Sequence, residues 1–137
     1  KADSDVERQF LKISKKMYVN YLESLKNTGD EDFDGLMQKA VDAIDSGTTI
    51  FERAKEKGDL TKLRYICIDE FQDFSLLFME LVSAIRKKNN NIEFFCVGDD
   101  WQAINGFAGS DLTLVENFSD YFQPSSKLNI TGKYRSK

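Results

Sequence analysis

Residues 65–74 read YICIDEFQDF. Tyr65, Ile66, Cys67 and Ile68 have the β-branched and aromatic character of a short buried strand. Three carboxylates follow within five positions, Asp69, Glu70 and Asp73, with Gln72 among them. Like charges at this density repel one another unless water or a cation sits between them. An apolar strand that ends in such a group implies that its carboxyl end opens onto solvent or a ligand.

The same figure recurs downstream. Ile92 to Val97 (IEFFCV) form a second apolar run, which leads into Gly98-Asp99-Asp100. Between the runs, Leu76, Leu77, Met79, Leu81, Ala84 and Ile85 recur at helical spacing, and Arg86, Lys87 and Lys88 close the segment. Cations suit the last turn of a helix. Asp73 is a candidate cap for this helix over 75–88, and Asn89-Asn90-Asn91 is a turn. Strand, helix and strand at this spacing predict a βαβ unit with parallel strands, covered on both faces. Parallel strands carry their carboxyl ends to one edge, so Asp69, Glu70, Asp99 and Asp100 are expected there. In open α/β sheets that edge is where ligands bind. Carboxylates there suit magnesium, which takes oxygen ligands and retains waters. A helix over 111–118, with Ser110 as its cap, and a third short strand over 127–130 are expected to follow.

Upstream the pattern is helical. Ser4 and Glu7 fit a capping box. Val6, Phe10, Ile13, Met17 and Tyr21 then mark an amphipathic helix that Thr28-Gly29-Asp30 interrupts. A second helix is expected from near Asp32 through Phe33, Leu36, Val41 and Ile44 to Ser46-Gly47, and a short third one over 48–57. No strand signal is read before residue 60. The division is a helical segment over 1–62 and an α/β portion over 63–137.

Composition sets wider bounds. The 137 residues are 41% hydrophobic and 31% charged, a globular balance. No apolar run reaches the roughly 18 residues of a membrane span. The two cysteines, Cys67 and Cys96, lie in apolar stretches and fit free thiols in a reducing, cytoplasmic setting. There is no histidine, the commonest acid–base residue and metal ligand. Net charge is −4, divided as −1 over 1–64 and −3 over 65–137. That excludes a protein gripping nucleic acid by bulk positive charge. The chain begins at Lys1 and ends at Lys137, and is expected to be a piece of something longer.

Three stretches together carry a family resemblance. IDEFQD (68–73) resembles the DExQD form of the Walker B box in UvrD/Rep-type DNA helicases. GDDWQAINGFAGSD (98–111) resembles that family's third motif, and its wording is similar to the helicase IV-like branch. Tyr134-Arg135-Ser136 resembles the end of the fourth motif, and Asp32-Phe33-Asp34 with Leu36 resembles a DFDDL segment upstream. The resemblance is dense over 65–136 and thin over 1–31. It implies an α/β fold: a parallel-sheet portion of a RecA-like P-loop NTPase motor domain, preceded by part of an inserted helical subdomain.

It also implies chemistry. ATP hydrolysis relies on positioning and charge neutralisation. By resemblance, Asp69 holds magnesium, Glu70 activates the attacking water, Gln102 reads the γ-phosphate, and Arg135 stabilises transition-state charge. Gln72, Asp73 and Asp99 link that site to neighbouring loops. Phe107 either stacks on a base of single-stranded DNA or packs in the core, and Trp101 is expected to pack. The partners implied are single-stranded DNA, duplex junctions, and the rest of a helicase chain with its second motor domain; no membrane is implied. Asn105 and Ala108 replace the family's usual Tyr and Arg, and Lys133 stands where Asn is common. No GxxxxGK[ST] phosphate loop occurs in the 137 residues, so the isolated chain is expected not to hydrolyse ATP. Two alternatives stand beside this reading: a magnesium-dependent phosphatase or nuclease using the acidic edge, and a non-catalytic interaction module of helicase descent.

Overall fold

The computed structural model describes residues 4–103 and 110–132, without the side chain of Asp100. Helix α1 (Asp5–Thr28) starts where the Ser4 hydroxyl accepts the Glu7 backbone N–H at 3.2 Å. It stops at Gly29, whose φ of 74° is the left-handed conformation that closes many helices. No residue of α1 is buried. Its apolar stripe, Phe10, Ile13 and Met17, lies exposed.

Helix α2 (Phe33–Asp45) is capped by Asp32, whose carboxylate accepts the Gly35 N–H at 2.7 Å and the Tyr21 hydroxyl at 2.8 Å. One side chain therefore starts α2 and ties it to α1. These bonds, the Gly35 N–H foremost, hold the Asp32 carboxyl below its ordinary value of 3.8. A depressed folded-state pKa stabilises the fold above the unfolded value and loses that contribution as pH falls through the lower folded one. Asp32→Asn is expected to lower the melting temperature at neutral pH and to shrink its fall between about pH 5 and about pH 2. Melting curves at both pH values read this. An equal fall in both proteins would exclude the role.

Residues 48–57 are not a third helix. Strands β1 (Ile50–Arg53) and β2 (Glu56–Asp59) pair antiparallel, with Ile50 opposite Asp59 and Phe51 opposite Gly58. Thr48, Thr49, Ile50 and Phe51 favour extended backbone, a strand signal that the helical reading passes over. The link Ala54-Lys55 places Ala54 at φ 57°, the positive φ that two-residue hairpin loops use. Gly58 has no side chain, and the Phe51 ring occupies that space.

The parallel unit forms as expected. Strands β3 (Tyr65–Ile68) and β4 (Glu93–Cys96) pair parallel, Tyr65 with Glu93 through Ile68 with Cys96. Helix α3 (Leu76–Lys88) makes the crossover. Its cap is Ser75, which accepts the Phe78 N–H at 3.3 Å, rather than Asp73. One face of the pair is covered and the other is open: Tyr65 and Phe95 are 63% and 65% exposed. The expectation of two covered faces fails for this pair, because no described element packs on the Tyr65 and Phe95 side.

The covered face builds the main core from Phe71, Phe74, Val82, Leu114 and Phe122, with Ile68, Phe78, Phe94 and Phe118 against it. A second cluster, Val41, Ile44 and Ala84, joins α2 to α3. Arg86 ties the end of α3 to the chain beyond: its guanidinium donates to the carbonyls of Tyr121 (2.7 Å) and Gln123 (3.2 Å) and lies over the Phe94 ring. Asn89, which is buried, donates its amide to the carbonyls of Leu60, Thr61 and Leu63, which fixes the lead into β3.

The expected helix over 111–118 is two short ones, α4 (Thr113–Glu116) and α5 (Phe118–Tyr121), broken at Asn117. Asp111 accepts from the Thr113 N–H and hydroxyl, while Ser110 bridges to Ser75. No strand forms over 127–130. Leu128 and Ile130 are 87% and 78% exposed and lie along no described strand edge. No described helix is long and apolar enough to cross a membrane.

Candidate functional site

Both strands of the parallel pair hand over to polar turns at the same edge. β3 runs into Asp69 and Glu70 and a 3-10 turn, Phe71–Asp73. β4 runs through Val97 and Gly98 to Asp99 and a second turn, Asp100–Gln102. The ladder continues past the strands: the Val97 N–H donates to the Ile68 carbonyl and the Phe71 N–H to the Val97 carbonyl, both at 2.9 Å. The two acidic ends are therefore held side by side.

Asp69, Glu70, Asp99 and Gln102 are exposed there. The Asp69 carboxylate accepts the Glu70 N–H at 3.0 Å. Glu70 sits at φ 52°, ψ 45°, a left-handed conformation that is costly for a residue with a Cβ. It turns the chain sharply off the strand. The 3-10 turn behind it closes with the Asp73 N–H on the Glu70 carbonyl at 2.8 Å. Asp99 gathers the second turn: its carboxylate accepts the Trp101 N–H at 3.2 Å and the Gln102 amide at 2.7 Å.

Gln72 joins the two turns. It is 2% exposed. Its Nε2 donates to the Glu70 carboxylate at 2.6 Å, and its Oε1 accepts the Asp99 N–H at 3.0 Å. A buried side-chain amide with both ends satisfied is favourable, whereas one left unpaired is costly. Gly98 makes room for it. A Cβ there would stand 2.9 Å from the Gln72 Oε1 and 3.2 Å from the Phe71 nitrogen. Gly98→Ala is accordingly expected to push the turns apart, with a cost of roughly 1–3 kcal/mol for overpacking. Urea unfolding measures it, and an unchanged midpoint would contradict the contact.

One carboxylate oxygen of Asp73, Oδ1, is buried without a hydrogen-bond partner among the described residues. Trp101, in the short turn Asp100–Gln102, is 93% exposed instead of packed. Phe107 and Arg135 lie outside the described residues. Cys67 is paired in register with Phe95 and Cys96 with Ile68, so the two thiols point to opposite faces of the sheet and both are free. Burial pushes the Cys96 thiol up to about 11, which leaves it an inert small hydrophobe.

Among the described residues, no three carboxylates or thiols close around a common point as a metal cage. What the edge offers is two adjacent exposed carboxylates, Asp69 and Glu70. That donor set fits magnesium held by one or two carboxylates and completed by water and phosphate oxygens, and does not fit an all-protein site. Sequence reasoning found the acids of this edge. It underrated Gln72 and passed over Gly98; the signal for the latter was a glycine at the join between an apolar strand and an acidic turn.

Residues 1–123 match the family described as UvrD/REP helicase N-terminal domain. DNA helicase IV of Escherichia coli (strain K12) is 30% identical over 131 residues, covering 96% of this chain and 18% of that protein. ATP-dependent DNA helicase PcrA of Staphylococcus epidermidis is 28% identical over 122 residues, with 88% and 16% covered. ATP-dependent DNA helicase srs2 of Schizosaccharomyces pombe is 28% identical over 123 residues, with 90% and 13% covered. The chain thus spans less than a fifth of the length of these curated relatives. With its matched span reaching from the first helix through both turns of the acidic edge, the chain belongs to the UvrD/REP helicase N-terminal domain family.

Proposed function

We propose that this chain is a segment of an ATP-dependent DNA helicase, the part of a RecA-like motor domain that carries half of its nucleotide site. The observation that supports this reading best is the shared edge, where Asp69 and Glu70 end one parallel strand and Asp99 and Gln102 follow its neighbour. In the full-length protein, Asp69 would hold magnesium. Bound magnesium neutralises charge on the β- and γ-phosphates. Glu70 orients the attacking water and takes its proton, and Gln102 contacts the γ-phosphate. Arg135 supplies positive charge to the transition state. The phosphate loop comes from another part of the protein, and a second motor domain completes the site. Movement on single-stranded DNA and unwinding at duplex junctions, in repair or recombination, is the work this chemistry drives. The free thiols of Cys67 and Cys96 support a reducing, cytoplasmic setting for that work.

Steady-state ATP hydrolysis with single-stranded DNA tests the reading. The full-length protein is expected to turn over, and the 137-residue chain, which has no phosphate loop, to show little activity. Robust hydrolysis by the chain alone, abolished by Glu70→Gln, would contradict it. Asp69→Asn is expected to raise the magnesium concentration needed for hydrolysis.

The DNA contact rests on Phe107. Phe107→Ala in the full-length protein is expected to weaken single-stranded DNA binding by roughly 1–3 kcal/mol, the range for one base stack. The salt dependence stays unchanged, because no phosphate charge is lost. A large drop in melting temperature with unaltered DNA affinity would show a core residue instead.

A further inference from the structure

We infer that Gln72 is the positioning residue of this site: its buried amide holds the Glu70 carboxylate in place and makes that placement depend on the turn that carries Gln102. The inference rests on the helicase reading for the role of Glu70, and on geometry for the rest. Glu70 is exposed, so little else confines its side chain. Among the described residues, no cation pairs with it and its carboxylate takes one side-chain hydrogen bond, from Gln72. The other end of the same amide holds the Asp99 N–H, and the Asp99 carboxylate holds the Gln102 amide. Gln102, Asp99, Gln72 and Glu70 thus form one chain of hydrogen bonds from one turn to the other. Gln72 cannot rotate to solvent, because it is enclosed by Gly98 and the core. A shift of the Asp99 turn therefore moves the Gln72 amide and, with it, the carboxylate.

Gln72→Leu removes both bonds. Gln72→Glu keeps the size and the acceptor for the Asp99 N–H but loses the donor to Glu70. Both are made in the full-length protein, alone and with Glu70→Gln, and assayed with ATP, magnesium and oligo(dT). Each single variant is expected to lower kcat by about 10–100-fold, the range for groups that orient a reacting ligand. The KM for ATP stays within about threefold, since Gln72 orients the base and does not hold the nucleotide. Added to Glu70→Gln, neither change slows hydrolysis further, because a positioning residue has nothing left to position. A merely structural role would instead multiply the losses. Multiplied losses, a kcat within about twofold of the parent for Gln72→Glu, or failure of both variants to fold would each overturn the inference. If Glu70→Gln alone leaves hydrolysis intact, the helicase roles fail first, and the two failures are thereby distinguished.

Discussion

Glu70→Gln in the full-length protein is expected to leave ATP binding nearly intact and to slow hydrolysis by roughly 10²–10⁴-fold, the contribution of a positioned general base. The amide keeps the size of the side chain and its place at the edge, but it cannot take a proton from water. The Gln72 Nε2 now at 2.6 Å still finds an oxygen to donate to, so the turn survives. Single-turnover hydrolysis with a parallel nucleotide titration separates binding from chemistry. Lost ATP affinity together with normal hydrolysis of the bound fraction would show that the roles are wrongly assigned.

Phe71→Ala is expected to destabilise the fold by about 3–5 kcal/mol, the range for truncating a buried aromatic. Phe71 is 4% exposed, and its ring meets those of Phe74 (5.0 Å), Phe118 (5.5 Å) and Phe122 (6.1 Å). These rings come from the residue after the 3-10 turn, from α5 and from the residue that follows α5, so the cavity cannot close by the shift of one element. Phe71 also donates its N–H to the Val97 carbonyl, which makes the core residue and the join between the acidic turns one and the same. Urea unfolding of the 137-residue chain measures the loss. A change under about 1 kcal/mol would mean that the aromatic cluster is not the core.

The parallel unit was legible because its signals are local and agree with one another. Two apolar runs of strand length, a helical period between them and a cationic last turn admit few other arrangements. The placement of Asp69, Glu70 and Asp99 then follows from strand direction alone. Ser4, Asp32, Gly29 and Ser46 were legible as helix ends for the same reason: a cap acts over three or four residues.

What was not legible depends on contacts distant in sequence. In 48–57, charged residues at Glu52, Arg53 and Lys55 mimic a helix surface, and only the Thr48 to Phe51 run and the pairing of Phe51 over Gly58 decide for the hairpin. Residues 127–130 have strand-like composition, yet a strand exists only where an edge receives it. Whether Ser75 or Asp73 caps α3 turns on an offset of two residues, and the 3-10 turn takes Asp73 first. Trp101 follows the same logic, since the aromatic type favours burial but the residue lies exposed in its short turn. The bridging role of Gln72 rests on its side-chain amide spanning two turns 27 positions apart, which no spacing rule encodes.

The most direct test of the central claim is a crystal structure of the full-length protein with magnesium and a non-hydrolysable ATP analogue. The account predicts the metal at Asp69, the γ-phosphate within reach of Glu70 and Gln102, and the Gln72 amide still joining Glu70 to the Asp99 backbone. A nucleotide bound away from the carboxyl edge of β3 and β4, with Asp69 and Glu70 facing only solvent, would contradict it.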